Sequence, residues 1–397
     1  MTKRVVLAYS GGLDTSVAVG WLAVELGYDL IATIVNVGQE ADFDAIRERA
    51  IAAGAAEVVV VDAREELLND FAMPALAANA LYEGRYPLVS ALSRPCIVRH
   101  LVSVARRHGA SAVAHGCTGK GNDQIRFELG TRALAPDLEV VAPVRVWGMN
   151  REESIDYAEK HDIALTVTKD RIYSIDENIW GRSIECGVLE DPWVAPPEDV
   201  YALTVPVATE PIEVTVGFEQ GIPVSIDGAN LGLVDLVTEL GRVAGSVGFG
   251  RVDIVEGRRV GIKSREIYEC PGALALVMAH ADLESLTLER DVAHEKARLE
   301  PRFAELVYDG MWFSPLRQAM SEFMASTQRF VTGEVRLRFQ PGGGAEVVGR
   351  RSPVGLYVNE LATYDAEDAF RHEDAAGFLR LFGLGIQTWS ALQGAAE

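Results

Sequence analysis

A short segment rich in glycine and hydroxyl side chains, residues 9–16 (YSGGLDTS), could bind an anion. It stands between an apolar run at 5–8 and an apolar helical pattern at 17–26, so we expect a strand that ends in a tight turn and opens a helix. Gly11 and Gly12 let the backbone curl, and Ser10, Thr15 and Ser16 place hydroxyl groups beside the unpaired N–H groups of the helix start. This combination predicts a phosphate site.

The segment, which we call the Ser10 loop, matches neither of two common phosphate-binding motifs. It lacks the lysine and the spacing of G-x-x-x-x-G-K-[ST], and it lacks G-x-G-x-x-G. It resembles the pyrophosphate loop, S-G-G-x-D-[ST], of enzymes that cut ATP between the α and β phosphates. An ordinary glycine turn with a hydroxyl cap is the alternative, and Asp14 followed by two hydroxyl residues at a strand-to-helix junction argues against it.

A second polar segment, the His115 loop (residues 115–127, HGCTGKGNDQIRF), gathers three glycines, two cations, an amide and a carboxylate. This composition is typical of a loop that recognises small charged molecules. A P-loop is excluded, because Gly121 stands where Ser or Thr should bind magnesium and no glycine lies five residues before Gly119. A solvated glycine-rich turn is the alternative.

Composition narrows the class of protein. With 397 residues and 48% hydrophobic content, the chain predicts two or three folded domains. Its 37 basic and 58 acidic residues give a net charge of −21, which disfavours nucleic acid and favours small substrates. We expect no membrane partner and a cytoplasmic location, since no signal-peptide pattern and no apolar run of about 20 residues occurs. The four cysteines are far apart, which favours reduced thiols over a disulfide framework or a zinc site.

The elements that must position these loops change character along the chain. Strands at 5–8, 30–37 and 58–62 alternate with helices up to 26 and at 43–53, and further strands are expected at 112–114 and 138–141. This order predicts a parallel sheet covered on both faces, with both loops at one crevice beyond its carboxyl edge. From about Lys169, alternating runs such as 212–216, a turn at Asp227-Gly228 and a hairpin around 335–348 predict an α+β region.

The last stretch, 375–392, carries a broken helical apolar stripe. The stripe either packs on its own domain or covers a neighbouring subunit; the sequence leaves both open. No internal repeat or low-complexity segment is evident.

Seven stretches together resemble the argininosuccinate synthase family, from the N-terminus almost to the tail. They are residues 8–16, 81–86, 93–96, 115–128, 174–178, 253–256 and 261–269. The Ser10 loop is shared with several amidating and tRNA-modifying enzymes, whereas the His115 loop and residues 267–269 (IYE) are far more specific. The resemblance implies an α/β fold: a Rossmann-like parallel-sheet nucleotide-binding domain (1–168), an α+β synthetase domain (169–365) and a C-terminal oligomerisation tail (366–397).

The resemblance also implies an activity: citrulline, aspartate and ATP give argininosuccinate, AMP and pyrophosphate through citrullyl-AMP, with Mg²⁺ on the nucleotide. Such an enzyme serves arginine biosynthesis and is typically a cytoplasmic homotetramer. The citrulline ureido oxygen attacks the α phosphorus, so the Ser10 loop must hold the departing pyrophosphate. The amine of aspartate then displaces AMP.

Site residues are carried over from the family position by position. ATP contacts fall on Ala8, Tyr9, Ser10, Gly11, Gly12, Leu13, Asp14, Thr15, Ser16, Val35 and Gly116. Citrulline contacts fall on Tyr86, Asn122, Arg126, Ser174, Ser183, Glu256 and Tyr268, and aspartate contacts on Thr118, Asn122 and Asp123. Catalytic roles are expected for Ser10, Asp14 and Asp123, and no protein metal ligand is firmly assigned.

Individual side chains suit these roles. Arg126 can form a bidentate fork with a carboxylate, and Glu256 can accept hydrogen bonds from an ammonium or ureido group. Asp14 must face the metal or cap N–H groups, because a bare carboxylate would repel phosphate. Asp123 suits the ammonium of aspartate and is also considered as a proton acceptor. Ala91 departs from the family, since many relatives carry serine there.

Several simpler interpretations stay open. The two tyrosines, Tyr86 and Tyr268, could be ordinary half-buried residues, and Glu256 and Arg126 could be surface charges. A nucleophilic role for Cys117 is not expected, because no step needs a thiolate and His115 is expected to order the strand end.

Two other functions could use a similar phosphate loop. Another pyrophosphate-loop adenylating enzyme, an amidotransferase or a tRNA-modifying enzyme, would show a glutaminase domain or basic patches and paired cysteines. A non-catalytic ATP-binding regulatory protein would need no second substrate domain. Turnover with citrulline and aspartate separates these cases.

Overall fold

The computed structural model describes residues 3–165, 173–365 and 369–394. The chain divides into two compact units, residues 1–354 and 355–397. The expected domain boundary at 168/169 lies outside the described residues, and the one at 365/366 adjoins an undescribed segment. Both boundaries therefore stay predictions.

Fourteen strands are found in the described residues. They are β1 (Arg4–Ala8), β2 (Asp29–Asn36), β3 (Glu57–Asp62), β4 (Ala112–Ala114), β5 (Glu139–Val141), β6 (Ser174–Asn178), β7 (Gly181–Glu185), β8 (Ile212–Glu219), β9 (Ile222–Ile226), β10 (Ala229–Asn230), β11 (Arg251–Gly257), β12 (Lys263–Glu269), β13 (Gly333–Gln340) and β14 (Gly344–Arg351).

The α-helices of the described residues run between and after these strands. They are α1 (Leu13–Gly20), α2 (Phe43–Ala52), α3 (Arg64–Leu67), α4 (Met73–Ala77), α5 (Val89–His108), α6 (Asp123–Leu134), α7 (Pro143–Trp147), α8 (Arg151–Lys160), α9 (Leu233–Gly245), α10 (Pro271–Thr287), α11 (Arg290–Tyr308), α12 (Pro315–Thr327), α13 (Asn359–Ala362), α14 (His372–Phe382) and α15 (Leu384–Leu392). A π-helical segment, Trp21–Glu25, continues α1, so the helix expected to reach residue 26 is regular only to Gly20.

A parallel sheet with strand order β3-β2-β1-β4-β5 forms the N-terminal part of the first unit. Alternate residues of β1 enter cores on opposite faces: Val5 and Leu7 pack with α1, α2 and α8, while Val6 packs with α5 and α6. The predicted Rossmann-like sheet is confirmed. From β1 the chain adds β2 and β3 on one side of the sheet and then β4 and β5 on the other. The strand order therefore reverses at β1, and a ligand crevice is expected beyond its carboxyl end.

Two antiparallel sheets, together with helices such as α9, α10, α11 and α12, form the rest of the first unit, and the alternating pattern predicts these strands. One has the order β10-β9-β8-β13-β14 and the other β11-β12-β7-β6. Asp227 and Gly228 both have positive φ, 49° and 80°, which is the requirement of a two-residue turn between β9 and β10. The hairpin expected around 335–348 is β13–β14. This mixed architecture agrees with an α/β domain followed by an α+β region.

The second unit consists mainly of α14 and α15, which meet at Gly383. None of the residues of these two helices is buried, and the expected apolar stripe is exposed: Phe382, Ile386 and Leu392 expose 69–79% of their surface. No helix in the described residues is long and apolar enough to span a membrane.

Candidate active site

A crevice of about 850 Å³ lies beyond the carboxyl ends of β1, β2 and β4 and is closed on another side by the sheet β11-β12-β7-β6. The Ser10 loop and the His115 loop both line it, as expected from the sheet rule. Every ATP, citrulline and aspartate residue named above lines it, with the exception of Ser16. The sequence-based set is therefore brought together in space.

The Ser10 loop is held by its own hydroxyl groups. Ser10 Oγ lies 3.1 Å from Thr15 Oγ1 and accepts a 3.4 Å hydrogen bond from the Gly12 N–H. Ser16 is buried, with Oγ 3.2 Å from the Tyr9 hydroxyl and its N–H donated to the Gly12 carbonyl. Both polar groups of Ser16 are thus used within the loop, and Ser16 does not line the crevice, whereas Ser10 and Thr15 do.

The two loops approach so closely that one position must be glycine. A Cβ on Gly116 would lie 2.9 Å from Thr15 Cγ2, closer than side chains pack. The tight approach explains why glycine stands directly after His115 and places the Gly116 backbone against the start of α1.

Asp123 is enclosed by two arginines at the start of α6. Its carboxylate accepts hydrogen bonds from Arg94 Nε at 2.9 Å and from Arg126 Nη1 at 2.7 Å. Although burial opposes ionisation, these guanidinium groups hold the pKa of Asp123 below its usual range. Arg94 also pairs with Asp176 at 2.8 Å. An ionised, doubly paired carboxylate is a weak base, which argues against proton abstraction by Asp123.

A cluster of tyrosines surrounds Glu256 on the opposite wall. Tyr268 donates to Glu256 Oε2 at 3.1 Å, and Tyr308 donates to Oε1 at 2.6 Å. The ring of Tyr86 stacks on that of Tyr268, with 4.0 Å between centroids. All four side chains are buried, so neither Tyr86 nor Tyr268 is an ordinary half-exposed tyrosine. Burial raises the pKa of the Glu256 carboxyl, while the two hydroxyl donors oppose the rise.

Arg126 is held from two sides. Its Nε and Nη2 donate to the Tyr308 carbonyl at 3.1 and 3.0 Å, and its guanidinium lies over the Tyr308 ring. With Nη1 on Asp123, Nη1 and Nη2 each keep one N–H for another acceptor. The buried Arg126 is therefore no surface charge.

Sequence reasoning missed Tyr308, Arg94 and Ser90. Arg94 lies within the resembling stretch 93–96, and that signal could have identified it. Ser90 lines the crevice and donates to Asp176 at 2.7 Å, whereas Ala91, the family departure, is buried in the core. Tyr308 lies at the end of α11 in no quoted motif, so only the fold identifies it.

A third carboxylate, Glu266, lies deep in the crevice wall on β12. The pKa of Glu266 is raised to about 8. Burial is the main cause, and the charges of Glu185 and Glu256 act in the same direction. The hydrogen bond from Arg258 opposes the rise. This group titrates near neutral pH, unlike an exposed glutamate.

His115 and Cys117 have structural roles in the loop. The Cys117 N–H donates to His115 Nδ1 at 3.3 Å, and the His115 ring stacks on Phe127. Burial raises the pKa of the Cys117 thiol, which keeps it protonated and unreactive. Neither this cysteine nor the other three forms a disulfide.

Two family models together cover most of the chain. Residues 4–164 match the Arginosuccinate synthase N-terminal HUP domain, and residues 173–389 match the Arginosuccinate synthase C-terminal domain. The chain belongs to the argininosuccinate synthase family. Argininosuccinate synthase of Anoxybacillus flavithermus is 54% identical over 394 residues, 98% of each chain. That of Listeria monocytogenes is 54% identical over 387 residues, 96% of this chain and 95% of the relative.

Membership in the argininosuccinate synthase family extends over nearly the whole chain and includes both walls of the crevice. The expected family is confirmed. The comparisons give no support to an amidotransferase, a tRNA-modifying enzyme or a non-catalytic ATP-binding protein.

Proposed function

We propose that this chain ligates citrulline and aspartate to argininosuccinate in arginine biosynthesis. The citrulline ureido oxygen attacks the α phosphorus of ATP and pyrophosphate leaves; the aspartate amine then attacks the activated ureido carbon and AMP leaves. The observation that carries the proposal is family membership across both domains, combined with a crevice that joins the Ser10 loop to the Glu256 cluster.

The nucleotide end of the proposed site is the Ser10 loop. N–H groups at the start of α1 and the hydroxyls of Ser10 and Thr15 would hold the departing pyrophosphate, while Gly116 and Val35 would line the nucleotide. ATP enters as its Mg²⁺ complex, in which the ion neutralises phosphate oxygens. The Asp14 carboxylate at the crevice wall is an oxygen donor suited to that hard cation.

The citrulline end is the opposite wall. We assign the citrulline carboxylate to the remaining N–H groups of Arg126, and the citrulline ammonium or ureido N–H groups to Glu256. The stacked Tyr86 and Tyr268 form an apolar wall for the methylene chain. Asn122, Ser174 and Ser183 line the same space and complete the proposed contacts.

The aspartate site is assigned to Thr118, Asn122 and Asp123. An ionised Asp123 attracts the substrate ammonium, and its low pKa restricts it to binding and orientation rather than proton transfer. Arg94, which donates a hydrogen bond to Asp123, would add a positive group for a substrate carboxylate.

The proposal includes a cytoplasmic homotetramer. It is supported by the family and by the exposed apolar residues of α14 and α15, which a subunit contact would cover.

The direct test is pyrophosphate release over a panel of amino acids with MgATP. We expect sustained release only when citrulline and aspartate are both present, with argininosuccinate as the product. Citrulline alone should release at most one pyrophosphate per active site, because citrullyl-AMP then has no amine to react with. Release driven by glutamine or by tRNA, or ATP binding without turnover, would overturn the proposal.

A further inference from the structure

Arg49 reaches from the last part of α2 to the glycine turn of the Ser10 loop. A Cβ built on Gly11 would lie 3.1 Å from Arg49 Nη2 and equally close to Ile46. Gly11 also has a φ of 76°, a conformation that favours glycine. A larger residue at position 11 would therefore displace the guanidinium, which lines the crevice beside the loop.

Arg49 differs from the other arginines that line this crevice. Among the described residues it forms no ion pair, and its Nε is buried without a hydrogen-bond partner. The other four each pair with a carboxylate: Arg94 with Asp123 and Asp176, Arg126 with Asp123, Arg182 with Glu269, and Arg258 with Glu185. A buried, unsatisfied guanidinium N–H is costly unless a ligand completes it.

The Ser10 loop has the complementary deficiency. It offers N–H groups and hydroxyls but no cation, and it belongs to a chain with a net charge of −21. Pyrophosphate gains negative charge as it leaves, and the neutral donors of the loop can stabilise only part of that charge. A guanidinium supplies both charge and forked N–H donors to phosphate oxygens.

We propose that Arg49 binds the β and γ phosphates of ATP and stabilises the departing pyrophosphate. The inference rests on the proposed function, because it assigns a further residue to that reaction. As the bond from the α phosphorus to the α–β bridging oxygen breaks, that oxygen keeps the electron pair, and Arg49 balances the charge. In this role Arg49 takes the place of the lysine that the Ser10 loop lacks.

The experiment compares Arg49→Met, which keeps the apolar stem, with Arg49→Lys and with Arg47→Met, an exposed position on the same helix. We expect Arg49→Met to raise the KM for MgATP and the inhibition constant of inorganic pyrophosphate by about tenfold to a hundredfold. The KM values for citrulline and aspartate should stay within about twofold, since both bind away from the phosphates. Arg49→Lys should restore part of the loss, and Arg47→Met should match the wild type.

Two results would overturn this assignment: unchanged pyrophosphate inhibition in Arg49→Met, or a loss shared equally by Arg47→Met. If Arg49→Met does not fold, Arg49→Lys tests the assignment. A role at the phosphates requires that Arg49→Lys shift the inhibition constant of pyrophosphate measurably, and an unchanged constant would overturn the assignment. Failure of the proposed function is distinguishable. A wild type that makes no argininosuccinate refutes that function, whereas an active wild type with an indifferent Arg49 refutes only this inference.

Discussion

The Tyr308 hydroxyl donates a 2.6 Å hydrogen bond to Glu256 Oε1, while the Tyr308 carbonyl accepts two hydrogen bonds from Arg126. Tyr308, the last residue of α11, thus holds both the acidic and the basic group that are proposed to bind citrulline. The ring of Tyr82 stacks on that of Tyr308, with 3.5 Å between centroids, and limits its movement.

Tyr308→Phe removes the hydroxyl and keeps the ring. We expect the KM for citrulline to rise about tenfold, the typical effect of losing one hydrogen bond to a charged group. Because the hydroxyl opposes the raised pKa of Glu256, the acid limb of the citrulline kcat/KM profile should also move to higher pH. Steady-state kinetics across pH checks both effects. Tyr357→Phe, at an exposed position, is the control, and an unchanged citrulline KM would count against a positioning role.

Asp123→Asn should separate the two half-reactions. Asparagine keeps the size and one acceptor for the arginines but loses the charge that attracts the aspartate ammonium. We expect a higher KM for aspartate and, because the amine is held less well in its attacking position, condensation slowed by about 10²-fold. Citrulline-dependent exchange of pyrophosphate into ATP should be reduced much less.

Both activities should be measured on the same purified variant. Asp137→Asn is the control, because Asp137 also pairs with an arginine, Arg106, but lies outside the crevice. If pyrophosphate exchange and overall turnover fall by the same factor, Asp123 acts in binding the nucleotide or citrulline instead.

The bond broken in ATP can be followed with oxygen-18. If the ureido oxygen attacks the α phosphorus, label placed in the citrulline ureido group must end in AMP. Mass spectrometry of the separated products checks this. Label found in argininosuccinate or pyrophosphate would refute attack of the ureido oxygen on the α phosphorus.

Glu266 should give the stability a specific pH dependence. Its folded pKa, about 8, lies above the ordinary value of 4.5, so its contribution is complete below pH 4.5 and is lost as pH rises through 8. Between pH 4.5 and 8 we expect the free energy of unfolding of the wild type to fall relative to that of Glu266→Gln, with a limiting slope of about 1.4 kcal/mol per pH unit for one proton. The Tm of the wild type should fall with it. Parallel Tm curves for the two proteins would rule out a raised pKa at Glu266.

Deleting residues 375–397 tests the tail. If the exposed stripe of α14 and α15 covers a neighbouring subunit, sedimentation should show a smaller assembly. The double substitution Phe382→Asp and Ile386→Asp in the full chain should act in the same direction, because both residues are exposed. An unchanged mass in both variants would favour packing within the subunit.

The local pattern of the sequence determined the five strands of the parallel sheet, the two loops at its carboxyl edge and the β13–β14 hairpin. Apolar periodicity and turn residues act over short stretches, so these features can be predicted from neighbouring residues. Family motifs then identified residues that line one crevice, from Ser10 to Tyr268.

Only the tertiary structure decided which groups face one another and in what state of charge. Tyr308 meets Glu256 across 52 positions of sequence, and Arg94 meets Asp123 across 29. Arg49 reaches Gly11 because α2 packs against the Ser10 loop. Burial and ion pairing depend on these long-range contacts, which is why the lowered pKa of Asp123 and the raised pKa of Glu266 could not be inferred from residue type.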